Sequence, residues 1–107
     1  QSWSLANQAQ KESQGWFRES SDEDILMAQK VLAEREGIFC EPASAVCVAG
    51  LIGELERQTI PSGATIVCTL TGHGLKDPDT AVANSPQPVK VSSKPADVRD
   101  VILEEFR

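Results

Sequence analysis

The fold is decided by one stretch of the sequence, Ala-Thr-Ile-Val-Cys-Thr-Leu-Thr-Gly-His-Gly at residues 64–74. Its first seven residues are apolar or β-branched and carry no charge, a pattern typical of a strand buried on both faces. The strand is predicted to stop where Thr71, Gly72 and His73 begin a turn. In open α/β sheets, ligands bind beyond the carboxyl ends of the strands. The tip of this strand is therefore the first candidate for chemistry, and an ordinary exit from strand to loop is the alternative.

Composition and charge exclude several classes of function. The chain has 107 residues, enough for one domain with a single core. A net charge of −6 argues against nucleic-acid binding, which needs clustered Lys and Arg. No apolar run approaches the roughly 20 residues that cross a bilayer, so no membrane partner is expected. The 3 cysteines lack metal-ligand spacing, which predicts no metal site and favours reduced thiols in a cytoplasmic protein.

The clearest helix signal lies before the predicted strand. Ser21 can cap a helix, and the three acids at residues 22–24 favour the positive end of its dipole. Ser20 and Glu23 also have the spacing of a capping box, so a start one residue earlier is the alternative. Gly37 supplies the left-handed residue that ends the helix. The acid cluster is therefore explained by the helix start, without a metal.

A second helix is predicted to begin at Pro42, where proline needs no intrahelical donor. The helix is apolar on nearly every side as far as Leu55, which predicts burial on several sides. Glu54 and Arg57 mark its solvated end. Glu41 stands at the junction of an apolar step and this helix, where an unpaired charge is costly. This carboxylate either caps its own helix or has a functional role.

The remaining segments complete the prediction of an α/β fold. Prolines and serines dominate residues 84–93, which we interpret as a surface connection, and residues 95–106 form a terminal helix. Residues 16–19 are interpreted as a short strand or an extended link, and residues 38–40 as an extended apolar step. Because the chain opens on Gln1 within a helical pattern, we expect residues 1–107 to be a single incomplete domain from a longer protein.

Three strings carry a resemblance to a known family. They are Ser-Asp-Glu-Asp-Ile-Leu at 21–26, Gly-Ile-Phe-Cys-Glu-Pro-Ala-Ser-Ala at 37–45 and Leu-Thr-Gly-His-Gly-Leu-Lys-Asp-Pro at 70–78. In this order and separation they resemble the C-terminal third of bacterial threonine synthases, over nearly the whole chain. Those enzymes are fold-type II pyridoxal-phosphate enzymes. The resemblance implies part of a three-layer large domain, with helices packed around one strong central strand and a few short strands.

The resemblance also implies a reaction and a cofactor. Threonine synthases convert O-phosphohomoserine and water to threonine and phosphate, and pyridoxal phosphate acts as an electron sink through elimination and hydration. Two alternatives stay open. One is a segment of another fold-type II enzyme, such as a threonine dehydratase. The other is a non-catalytic α/β module that binds a protein partner.

Site residues follow from the same resemblance. The residue matching Thr71 hydrogen-bonds the pyridine nitrogen of the cofactor, and Gly72 lets the loop approach the ring. A hydroxyl at that place, unlike an aspartate, leaves the nitrogen largely unprotonated. The positions of Glu41 and Ser44 lie close to the cofactor pocket, and His73 is a further pocket candidate.

The sequence also lacks parts that the family needs. It contains no Ser-Phe-Lys string for the Schiff-base lysine and no glycine-rich loop for the cofactor phosphate. Lys76 matches a different family position and is interpreted as a surface lysine. We therefore expect no catalytic residue in this segment and no activity from the isolated chain. Apolar surface that missing strands would cover is expected to promote self-association.

Overall fold

The computed structural model describes residues 2–105, so Gln1, Phe106 and Arg107 lie outside it. Within this range, five α-helices and one short 3₁₀ helix at Gly74–Lys76 follow one another. The α-helices are α1 (Trp3–Ser13), α2 (Asp22–Glu36), α3 (Pro42–Glu56), α4 (Pro78–Ala83) and α5 (Pro95–Glu105). The terminal helix predicted for residues 95–106 corresponds to α5, and its predicted end at Phe106 falls outside the described residues.

The boundaries of α2 follow from local chemistry. Ser21 Oγ accepts a hydrogen bond from the Asp24 N–H at 3.2 Å, and acids fill the first turn. Gly37 ends the helix at φ 66°, in the left-handed region that glycine adopts without a Cβ clash. Its N–H donates to the carbonyl oxygens of Leu32 and Ala33. Both predicted ends of this helix are confirmed, and the alternative start one residue earlier is wrong.

The core lies between α2 and α3. It consists of Ala28 and Leu32 from α2, Ala45 and Ala49 from α3, and Cys40 from the connection. Four of the five side chains are small, so the two helices approach closely and bury little apolar surface. The predicted burial of α3 on several sides is wrong among the described residues, because α2 covers only one side. Val46, Ile52 and Leu55 of α3 are exposed.

The predicted central strand is not present. Residues 64–70 have no regular secondary structure, and Ile66 and Val67 are 43% and 85% exposed. In residues 2–105 the only β-pairing is a single antiparallel bridge between Cys40 and His73. A strand needs hydrogen-bonding neighbours on at least one edge. Among the described residues, Cys47 of α3 contacts Cys68 and Thr69, and a helix offers no strand edge to pair with. The sequence has the composition of a buried strand without the sheet.

The C-terminal part packs loosely. Side chains of residues 84–93 are exposed, and Val98 and Val101 of α5 are half-buried. The Cα radius of gyration is 18.8 Å, against about 13 Å for a compact domain of this length. In the described range, no helix combines the length and apolar character required to span a bilayer.

Candidate functional site

The start of α3 and the turn after residues 64–70 are held together by backbone hydrogen bonds. The Glu41 N–H donates to the Gly72 carbonyl and the Gly74 N–H donates to the Phe39 carbonyl, both at 3.0 Å. These bonds flank the antiparallel bridge between Cys40 and His73. Two segments some thirty residues apart in sequence are thereby fixed in register, and Thr71 is placed beside the first turn of α3.

Ser44 is the contact that holds Thr71. The Ser44 hydroxyl oxygen accepts from the Gly72 N–H at 2.6 Å and lies 3.1 Å from Thr71 Oγ1. Ser44 is only 2% exposed, whereas Thr71 is exposed. The Thr71 hydroxyl therefore has a buried partner on one side, within a residue that is exposed as a whole.

Glycine is required at positions 72 and 74 because other side chains lie where a Cβ atom would be. A Cβ built on Gly72 would overlap the Glu41 carboxylate, and one built on Gly74 would overlap the Phe39 ring. Neither glycine is among those with positive φ, so backbone conformation does not explain them. The absence of a side chain lets the turn lie directly against the start of α3.

Glu41 is turned toward this cluster. It stands at the N-cap position of α3, yet its side chain makes no capping hydrogen bond. Its Oε1 lies 3.4 Å from Lys76 Nζ and 3.5 Å from Ser44 Oγ. The interpretation of Glu41 as the cap of its own helix is therefore wrong. Lys76 is exposed and serves as the ion-pair partner of Glu41.

His73 has a local structural contact. Its Nδ1 accepts from the Leu75 N–H at 3.2 Å, which caps the 3₁₀ helix that begins at Gly74. Its ring meets the Phe39 ring edge-on, with centroids 5.5 Å apart. These contacts hold the turn in shape. Thr71, Gly72, Glu41 and Ser44 form one contiguous cluster, and the ring of His73 points to Phe39.

Comparisons with known proteins identify the family. The sequence profile described as "Pyridoxal-phosphate dependent enzyme" matches residues 2–72, which include the whole α2–α3 pair and Thr71. The chain belongs to this family. Membership gives it the α/β class of fold, although the described residues lack the sheet.

Proteins similar to this chain are named threonine synthase. The chain is 53% identical over 93 residues to threonine synthase from Synechocystis sp., 46% identical over 101 residues to that from Mycobacterium leprae, and 52% identical over 79 residues to that from Methanocaldococcus jannaschii. These matches cover 87%, 94% and 74% of this chain and 24%, 27% and 20% of the respective relatives. The chain thus spans about a quarter of the length of its relatives.

The cluster formed by Thr71, Gly72, Glu41 and Ser44 suits one side of a cofactor site. The hydroxyl of the exposed residue Thr71, with Ser44 as a fixed partner, can hydrogen-bond a ring nitrogen, and Gly72 has no side chain to occupy the space beside it. Thr71 lies on an open surface, and two cavities of about 230 and 510 Å³ are lined by other residues. The described residues therefore fit the nitrogen side of pyridoxal phosphate and leave its other sides open.

A second polar cluster lies at the other end of α3, and sequence reasoning missed it. Glu54 is 5% exposed, so the prediction that it marks a solvated helix end is wrong. Its carboxylate accepts from Thr59 Oγ1 at 2.7 Å, Arg18 Nε at 2.6 Å and Arg57 Nη1 at 3.3 Å. The hydrogen bond from Thr59, followed by the contacts of the arginines, holds the pKa of Glu54 below its ordinary value of 4.5.

A buried glutamine supports the segment that leads into α3. The buried Gln29 side chain donates to the Cys40 carbonyl at 2.7 Å, which fixes the connection between α2 and α3. In the sequence, a polar residue beside Ala28 on the core face of α2 was the signal that could have indicated this buried glutamine.

Burial raises the pKa of the Cys40 and Cys68 thiols, which keeps them protonated and poorly nucleophilic near neutral pH. No group in the described residues has the ligands for a metal ion.

Proposed function

We propose that this chain is the C-terminal segment of a threonine synthase, which converts O-phosphohomoserine and water to threonine and phosphate. The family match and the names of relatives at 46–53% identity support this assignment. The observation that carries the site is the hydroxyl of the exposed residue Thr71, held 3.1 Å from the hydroxyl of the buried Ser44 at the end of an apolar segment. The segment contributes the pyridine-nitrogen side of the cofactor pocket.

Pyridoxal phosphate, when bound, supplies an electron sink for the substrate carbanion. Thr71 contributes a hydrogen bond to the ring nitrogen. A threonine hydroxyl is far less acidic than a pyridinium, so the proton stays on Oγ1 and the nitrogen stays largely unprotonated. Gly72 allows the backbone to come close to the edge of the ring. Together these two residues orient the ring and moderate its pull on electrons.

Glu41, Ser44 and His73 act as supports of this wall in the proposal. Glu41 is paired with Lys76, which suits a fixed carboxylate better than one that exchanges protons. Ser44 anchors the turn through the Gly72 N–H, and His73 caps the 3₁₀ helix that follows. None of the three is assigned a proton-transfer step. The groups that bind the cofactor phosphate and form the Schiff base come from outside this chain.

The proposal extends to the isolated chain, residues 1–107, which we infer to be an incomplete domain that associates with itself. Its core contains five buried apolar side chains, most of them small, while large apolar side chains such as Trp3, Trp16 and Val67 are well exposed. Surfaces of this kind promote association. A cytoplasmic location is part of the proposal, because the three cysteines are free thiols.

The decisive experiment uses the full-length protein that carries this segment. Release of phosphate from O-phosphohomoserine with equimolar formation of threonine supports the proposal. Deamination of threonine to a keto acid, without phosphate release, would support the threonine dehydratase alternative. Absence of both activities, together with no pyridoxal-phosphate binding, would favour the non-catalytic module.

A companion experiment tests the isolated chain. Mixed with pyridoxal phosphate, it is expected to give no lysine-dependent absorbance band and no turnover. A strong band that disappears in a Lys76→Met variant would show that this chain holds the cofactor covalently, and would contradict the proposal. Sedimentation over a range of concentrations tests self-association, which a concentration-independent monomer would rule out.

A further inference from the structure

Ser44 has more potential partners than protons. Its Oγ lies 2.6 Å from the Gly72 nitrogen, 3.1 Å from Thr71 Oγ1 and 3.5 Å from Glu41 Oε1. A serine hydroxyl has one proton and two lone pairs, so it can donate to a single neighbour. The direction of that one donation decides what the Thr71 hydroxyl is free to do.

Distances and charge favour one direction for this donation. The Gly72 N–H can only donate, so it occupies one lone pair of Ser44. The proton of Ser44 then goes either to Thr71 or to Glu41. The separation of 3.1 Å from Thr71 is close to the range of O–H···O hydrogen bonds, whereas 3.5 Å from Glu41 is well beyond it. Glu41 Oε1 also faces the ammonium of Lys76.

We propose that Ser44 is a positioning residue that donates to Thr71 Oγ1 and so fixes the outward direction of the Thr71 proton. This inference rests on the proposed role of Thr71 at the ring nitrogen of pyridoxal phosphate. With Ser44 donating, Thr71 offers its own proton to the cofactor and matches an unprotonated nitrogen. In the reverse order, Thr71 would donate to Ser44 and present only a lone pair, which suits a protonated nitrogen.

The arrangement also explains why a buried serine stands at this place in α3. Ser44 is 2% exposed, and an alanine there would leave the Gly72 N–H without its acceptor. The same oxygen therefore fixes the turn through its lone pair and the Thr71 hydroxyl through its proton. Position and proton direction are set by one side chain.

The test uses the full-length holoenzyme that carries this segment, loaded with pyridoxal phosphate labelled with ¹⁵N at the ring nitrogen. The ¹⁵N chemical shift reports whether the nitrogen accepts a hydrogen bond, independently of activity. In Ser44→Ala the shift is expected to move toward that of a nitrogen without a donor. The dissociation constant of the cofactor is expected to rise about two- to tenfold, as for the loss of one hydrogen bond.

Three further variants separate positioning from general damage. Ser44→Thr retains the hydroxyl and is expected to keep the wild-type shift. Cys47→Ala removes a thiol one turn along α3 that donates to the backbone carbonyls of Ser44 and Thr69 but not to the Ser44 or Thr71 hydroxyl, and is expected to leave the shift unchanged. In a Thr71→Val background, Ser44→Ala is expected to have no further effect on the shift, because Ser44 acts through Thr71.

The outcomes distinguish this inference from the function on which it rests. A wild-type shift in Ser44→Ala, with an altered shift in Thr71→Val, overturns the role of Ser44 and leaves Thr71 at the ring. An unaltered shift in Thr71→Val overturns the ring-nitrogen role itself. If Ser44→Ala does not fold, Ser44→Cys replaces it: its weakly donating thiol is expected to give an intermediate shift, and a wild-type shift overturns the inference.

Discussion

The two ends of α3 each carry a glutamate, and the two carboxylates have opposite surroundings. Glu54, at the C-terminal end, is buried and accepts from Thr59, Arg18 and Arg57. Arg18 comes from the link before α2, so this carboxylate joins two separate segments of the chain. We call this group, Glu54 with its three donors, the closed cluster.

At the N-terminal end, Glu41 has one ammonium partner at 3.4 Å and a hydroxyl at 3.5 Å. Beside it the residue Thr71 is exposed, and its hydroxyl has a single protein partner. We call Glu41, Ser44, Thr71 and Gly72 the open cluster. The closed cluster uses its hydrogen-bonding capacity to hold the chain together. The open cluster leaves part of its hydrogen-bonding capacity unused, which is the property that a binding surface needs.

The largest expected effect comes from weakening the core between α2 and α3. Leu32 is 8% exposed in the core that joins α2 to α3, and Leu32→Ala is expected to cost about 2–5 kcal/mol of unfolding free energy. The measurement is urea unfolding of the chain by helical circular dichroism, at one fixed low concentration. Leu5→Ala, at an exposed position on α1, is the control and is expected to change little. Equal losses in the two variants would show that this core does not hold α2 and α3 together.

A smaller effect is expected from crowding the open cluster. In Gly72→Ala the added methyl overlaps the Glu41 carboxylate, which is expected to cost about 1–3 kcal/mol. Removing the obstacle with Glu41→Ala in the same chain is expected to recover most of that loss. Gly50→Ala is the matched control, since a Cβ there meets only Ser20 Oγ at an ordinary 3.9 Å. No recovery in the double variant would contradict the close approach.

The closed cluster is expected to make stability depend on pH. The pKa of Glu54 is lowered in the folded chain, so its contribution is fully present above the ordinary value of 4.5 and is lost as pH falls through the lowered pKa. The stability difference between wild type and Glu54→Gln should therefore shrink as the solution is acidified below 4.5. Glu34→Gln, at an exposed carboxylate of α2, is the control. A difference that stays constant with pH would refute the assignment.

The smallest effect is expected at the exposed ion pair of the open cluster. Lys76→Met removes the partner of Glu41, but the Lys76 side chain is 65% exposed, so the loss should be at most about 1 kcal/mol and decrease with salt. Arg18→Met at the closed cluster should destabilise the chain more, because it removes a donor from a buried carboxylate. The reverse order of the two losses would remove the distinction between the clusters.

Local signals predicted the helices well and the sheet poorly. Ser21 and Gly37 define α2 because a cap and a left-handed residue act within a few residues of the chain. The segment 64–70 has strand composition, yet strands are stabilised by hydrogen bonds to neighbouring strands, and no strand lies beside it in residues 2–105. Pattern alone therefore predicted a strand that the described residues do not form.

The candidate site was partly accessible to sequence reasoning. The resemblance selected Thr71, Gly72, Glu41 and Ser44, and the structure brings these four together. It did not indicate that the Glu41 carboxylate turns away from its helix. Nor did it show that Glu54 is buried, since a charged residue near a helix end looks the same in sequence whether or not distant donors reach it.

By itself the sequence determined the caps of α2, the start of α3 at Pro42, the acidic charge and the family strings. These depend on neighbours in the chain or on residue identity alone. Only the tertiary structure decided which carboxylate is buried, which hydroxyls meet and which glycine is needed for space. Those properties depend on atoms that lie some thirty positions apart in sequence and meet only when the chain folds.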